Sequence, residues 1–158
     1  MTVLRTYKPI SAYGVVGDTR TAAVVGADGS VDWCCFPRFD SPSVFGAILD
    51  VQRGGHFRVA PVRRYTSKQR YFPLTNILVT SFHLHDGTGA LELLDFMPAP
   101  GERPIAEPHE LYRRMRGLFG TVEVLVEFAP RFDYARTRTR IERRDHGLAA
   151  TDNDEWLI

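Results

Sequence analysis

Cysteine is almost missing from this chain, and that scarcity excludes a disulfide scaffold. The only two cysteines among 158 residues are the neighbours Cys34 and Cys35. Adjacent strand residues point to opposite faces, so these two are badly placed to bond each other. Both read as small core groups in a reducing, cytoplasmic compartment. Excess charge of one sign is also missing, with 20 Lys+Arg against 19 Asp+Glu. A net charge of +1 supplies no long-range pull toward nucleic acid or an anionic membrane. No apolar run is long enough to span a bilayer, and Met1 to Pro9 has no secretory pattern. No Ser-His-Asp set, phosphate-cradling glycine loop or paired-cysteine metal motif can be assembled, and no cofactor is expected.

What is present is a soluble globular composition, 44% apolar and 25% charged, sized for one domain over residues 1–158. Short alternating segments separated by turn residues predict an all-β fold, an antiparallel β-sandwich. Gly26-Ala-Asp-Gly29 predicts a hairpin pairing Val25 with Ser30, Val24 with Val31 and Ala22 with Trp33. Asp86-Gly-Thr-Gly89 predicts a second, pairing Leu84 with Leu91 and Phe82 with Leu93. A third hairpin is expected around Gly120, joining 111–119 to 122–128. Ser41-Pro42 followed by Val44, Phe45, Ile48 and Leu49 predicts one short helix near 41–49. Pro98 to Pro108 reads as the main loop. The tetrapeptide Pro37-Arg-Phe-Asp40 recurs as Pro130-Arg-Phe-Asp133.

Three clusters could carry chemistry. Arg38 and Asp40, beside Trp33 and Phe39, could hold a sugar's vicinal hydroxyls, because a guanidinium donates in a planar fork and a carboxylate accepts. On residue chemistry alone the better reading is an Arg–Asp pair bracing a strand-to-helix corner, with Asp40 or Ser41 capping the helix. His83 and His85 share a strand face, and the second hairpin's register sets Glu92 opposite His83. That is a weak candidate for zinc, against two exposed histidines with one cross-strand contact. Arg136, Arg138 and Arg140 alternate with threonines and read as a solvated sheet face rather than a phosphate track.

The ordered motifs Gly17-Asp18, Thr21-Ala-Ala-Val-Val25, Gly29-Ser-Val-Asp-Trp33, Pro37-Arg-Phe-Asp-Ser-Pro42, Leu94-Asp-Phe-Met-Pro98 and Pro130-Arg-Phe-Asp-Tyr134 carry a family likeness. They resemble the N-terminal β-sandwich of bacterial and archaeal glucoamylase/trehalase-type glycoside hydrolases, family 15. The resemblance implies a super-sandwich, incomplete at its C-terminal end, that precedes an (α/α)6 catalytic barrel. It implies inverting hydrolysis of α-glucosides by two barrel glutamates, which this chain lacks. No catalytic residue is therefore assigned, and the chain alone is expected to be inactive. Trp33, Arg38, Phe39 and Asp40 are expected to face substrate or the barrel, present in cis or in trans. The abrupt apolar end at Trp156-Leu-Ile158 suggests self-association through an open sheet edge. The competing reading is a stand-alone β-sandwich that binds carbohydrate or a protein.

Overall fold

The computed structural model describes residues 6–99, 109–152 and 156–157. The expected loop from Pro98 to Pro108 lies almost wholly outside the described residues. Among the described residues, thirteen strands form three antiparallel sheets. In chain order they are β1 (Tyr13–Gly17), β2 (Ala22–Gly26), β3 (Ser30–Cys35), β4 (Ser43–Phe45), β5 (His56–Pro61), β6 (Tyr65–Tyr71) and β7 (Leu78–Leu84). There follow β8 (Gly89–Phe96), β9 (Tyr112–Gly120), β10 (Val124–Ala129), β11 (Arg140–Arg144), β12 (Gly147–Thr151) and β13 (Trp156–Leu157).

One sheet runs β1-β2-β3-β5-β10, with β4 added beside β3; a second runs β6-β7-β8-β9. The short strands β11-β12-β13 form a third. The predicted all-β antiparallel class holds. Val16, Val25, Val31 and Phe45 of the first sheet bury against Leu78 of the second and Ala150 of the third. A second cluster joins Val59 and Ala60 to Phe82, Leu91 and Leu93. Each valine, leucine or phenylalanine among them contributes roughly 1.5–3 kcal/mol when fully buried.

Arg113 ties the two larger sheets together. Its Nε donates to Asp95 Oδ1 at 2.7 Å, while its other nitrogens reach the carbonyls of Phe57 at 2.6 Å and Gly29 at 2.8 Å. Both partners of the ion pair are buried. Arg113 is thus a buried tie between the sheets, unlike its exposed neighbours Tyr112 and Arg114.

Several expectations fail for local reasons. No helix covers 41–49: Ser43–Phe45 is a strand that pairs Phe45 with Cys34 and Ser43 with Cys35. Gly46 N–H then bonds Gly54 O at 2.7 Å, so the chain doubles back instead of coiling. A Cβ at Gly54 would collide with the Gly46 carbonyl, so glycine is required there.

In the first hairpin Val25 pairs with Val31, but Val24 pairs with Trp33, because a bulge intervenes and Asp32 is the extra residue. That insertion flips the parity. Cys34 joins Val31 in the core and Trp33 is left half-buried.

The second hairpin pairs Phe82 with Leu91 and His83 with Ala90, two residues from the expected register. Asp86 Oδ1 accepts from Thr88 N–H at 3.0 Å, tightening the turn so that Gly89 already belongs to β8. The third hairpin does not exist, since β9 pairs with β8 and β10 pairs with β5 in the opposite sheet.

Among the described residues a 3-10 turn spans Ile10–Ala12 and a short helical segment spans Phe132–Ala135, and the second is unusual. Asp133, Tyr134 and Ala135 all have positive φ, at 45°, 57° and 61°. Three consecutive non-glycine residues in the left-handed region cost on the order of 1–3 kcal/mol each. Phe132, locked in the core beside them, helps to hold that turn.

Candidate functional site

The loop after β3 carries the expected site. Phe39 is 69% exposed, and Arg38 and Asp40 flank it on the surface. Arg38 Nε donates to Asp40 Oδ1 at 3.0 Å, and Arg38 N–H bonds Ser41 Oγ at 3.1 Å. The Arg38 guanidinium holds the Asp40 carboxyl below its ordinary range. The Arg38–Asp40 pair of the bracing alternative forms, but the corner leads into β4, so neither Asp40 nor Ser41 has a helix to cap.

The loop is held from below by residues that the sequence reading used only as motif positions. Phe39 N–H donates to Arg20 O at 2.9 Å. Arg20 sits in a turn built on Asp18, whose Oδ1 accepts from Arg20 N–H at 2.9 Å and Thr21 N–H at 2.8 Å. Asp18 Oδ2 lies 2.8 Å from His109 Nδ1, and Thr21 Oγ1 bonds the Cys35 carbonyl. Burial pushes the Asp18 carboxyl up, but the backbone donors and His109 outweigh it and the net direction is down. Gly17-Asp18 and Thr21 therefore rigidify the base of the exposed loop. A short polar residue just after a strand was the available signal for such a turn.

Trp33 does not join the Arg38 loop. Its ring packs 6.1 Å from Tyr134, on the left-handed turn of the second Pro-Arg-Phe-Asp copy. Asp32, next to it, is buried and accepts from Lys8 Nζ at 2.5 Å, Tyr13 OH at 2.9 Å and Ser30 Oγ at 2.5 Å. Burial raises that carboxyl, and the Lys8, Ser30 and Tyr13 donors bring it below its ordinary value. Asp32 is a structural centre, not an exposed acid. Both cysteines are buried and free, and burial pushes both thiols up.

The zinc candidate comes apart. Glu92 stands opposite Ser81 rather than His83, bonding Ser81 Oγ at 3.1 Å and pairing with Arg70 and Arg116. His83 and His85 are exposed, and no cluster of three metal-ligating side chains exists among the described residues. The expected arginine stripe also breaks, since Arg136 and Arg138 precede β11 and Arg136 lies over the Tyr134 ring.

The sequence profile of the trehalase-like N-terminal family matches residues 4–158. The chain belongs to that family. A trehalase of Thermoplasma volcanium is 35% identical over 153 residues, covering 96% of this chain and 24% of that protein. Trehalases of Thermoplasma acidophilum and Mycobacterium tuberculosis are each 37% identical, over 84% and 82% of this chain and 23% and 21% of theirs. This trehalase-like N-terminal chain therefore spans about a quarter of the length of such relatives. No solved structure matches it. Among the described residues, no helix is long and apolar enough to cross a membrane.

Proposed function

We propose that this chain is the non-catalytic N-terminal domain of a glucoamylase/trehalase-type hydrolase of family 15 that acts on α-glucosides. Its task is to carry, and in part to border, the active site of an (α/α)6 barrel supplied in cis or in trans. The observation that carries this reading is the Arg38-Phe39-Asp40 loop. A phenyl ring is thrust into solvent between two charges that pair with each other, over a base rigidified by Asp18. A ring so exposed adds nothing to this domain's own core, and its setting suits a facing protein surface or a sugar.

Two further features support the reading. The nine-residue strand β9 has β8 on one side and exposes Met115, Leu118 and Phe119, a surface suited to an added strand from a neighbouring domain or a second copy. The two free, buried thiols suit a reducing cytoplasm. No part in the reading falls to nucleic acid, membrane or cofactor.

The test places alanine at the equivalents of Arg38, Phe39 and Asp40 in the intact Thermoplasma volcanium trehalase. Reduced turnover of trehalose, or looser association of the two domains, with an unchanged melting temperature is the expected result. Turnover and docking both at the parent level would reject it.

A further inference from the structure

An open cleft lies apart from the Arg38 loop, where the turn after β4 meets the segment that leads into β11. It has a volume of about 440 Å³ and is lined by Gln52, Arg53, Arg131, Ala135, Arg138 and Thr139. That volume falls within the roughly 300–1,000 Å³ of small-molecule sites. Among the described residues, none of its three guanidiniums forms an ion pair and no carboxylate lines it. Arg38, Arg58, Arg63 and Arg113, by contrast, each have a carboxylate partner. All three arginines of the cleft are exposed, so a ligand can reach them.

The backbone gathers this set from distant positions. The left-handed turn at 133–135 separates Arg131 from Arg138, and both line the cleft. A Cβ on Gly55 would stand 2.9 Å from Arg131 Cβ and Cγ, so glycine leaves room for that arginine's stem. Thr137 Oγ1 donates to Asp152 Oδ2 at 2.8 Å, and Thr139 Oγ1 accepts from Phe132 N–H at 3.4 Å, which tethers the segment carrying Arg138. Asp50 Oδ1 accepts from Gln52 N–H and Arg53 N–H, each at 3.0 Å, which fixes the turn carrying Arg53. Of the arginine stripe expected at 136–140, only Arg138 lines this cleft.

From this lining we infer a binding site for a phosphate dianion, with room for a sugar that carries it. Three like charges gathered without a counter-charge repel one another, and a bound dianion replaces that repulsion with attraction. Each guanidinium offers a planar fork of donors that matches phosphate oxygens. A bare phosphate leaves much of the cleft empty, whereas a monosaccharide ester fills more of it. None of Arg38, Phe39 and Asp40 lines this site, so it is independent of the barrel-facing reading and survives that reading's failure.

The experiment titrates the full 158-residue chain with D-glucose 6-phosphate, inorganic phosphate and D-glucose by calorimetry. Sodium chloride at about 0.1 M screens loose surface attraction. Saturable binding of the phosphate ester is expected, and none of glucose. Arg53→Ala and Arg138→Ala should each weaken that binding about tenfold, the order of one lost charge-assisted hydrogen bond. Their melting temperatures should stay level or rise, because each change relieves repulsion within the cleft. Arg143→Ala, on β11 and outside the lining, should bind as the parent does. Tighter binding of the ester than of inorganic phosphate assigns the site to a sugar phosphate, and equal binding assigns it to free phosphate; either supports the site. Absence of saturable binding of both phosphates would overturn the inference, as would equal binding of glucose. So would parent-level affinity in Arg53→Ala and Arg138→Ala, or an equal loss in Arg143→Ala.

Discussion

The same four residues, Pro-Arg-Phe-Asp, occur twice in this chain and meet opposite fates. At 37–40 the phenylalanine is 69% exposed, while at 130–133 it is 1% exposed. Phe132 packs with Phe45, Val44 and Met97 in the main core, whereas Phe39 is carried outward by a loop resting on the Asp18 turn. The backbones differ as sharply. Asp133 adopts left-handed geometry with Arg136 3.8 Å away, and Asp40 pairs across one residue with Arg38. A local motif therefore does not decide burial; the strand that receives it does. Beside β4 the second copy finds a sheet to cover, with Arg131 N–H bonded to Val44 O at 2.8 Å. The first copy leaves its ring largely in solvent.

Replacing Phe132 with alanine should break this contrast most severely. It opens a cavity in the main cluster and should cost about 3–5 kcal/mol in urea unfolding. Nearly as large should be Arg113→Ala, which strands the Asp95 carboxylate between the sheets. Removing one member of a buried pair costs about 3–5 kcal/mol, read as a lower midpoint at unchanged slope.

Acid sharpens the comparison between buried and exposed carboxylates. The Asp32 carboxyl lies below its ordinary value of 3.8 in the folded chain, so its contribution is complete above that pH. It is lost as pH falls through the lower, folded value, where protonation releases Lys8. Thermal melts between pH 6 and pH 2 should show this decline, and Asp32→Asn should flatten it while lowering stability at neutral pH. The smallest effect belongs to Phe39→Ala. Its unfolding free energy should stay within about 0.5 kcal/mol of the parent, as for other exposed positions. A larger loss would mean that the loop serves the fold of this domain.

Much of this architecture was legible in the sequence, because strand existence follows from alternation and turn residues. His56–Pro61, Leu78–Leu84 and Gly89–Phe96 fall within a residue or so of where their patterns end. Register was not legible. It depended on a bulge that makes Asp32 the extra residue and on Asp86 tightening its own turn, and neither alters the apolar count. The helix expected at 41–49 illustrates the same limit. Val44 and Phe45 followed by Ile48 and Leu49 mimic helical spacing, yet a two-glycine contact between Gly46 and Gly54 dictates a reversal. Of the site, Arg38 and Asp40 were visible as a neighbouring charge pair. The turn that supports the loop was not, because Asp18 and His109 meet there from 91 positions apart.

The most direct measurement incubates the purified chain with trehalose and follows glucose with a coupled assay, beside the intact Thermoplasma volcanium trehalase. A domain that only supports and borders a catalytic partner should release no glucose above the buffer blank, while the intact enzyme does. Sustained release by the 158-residue chain, proportional to its concentration and abolished by changes within it, would contradict the account.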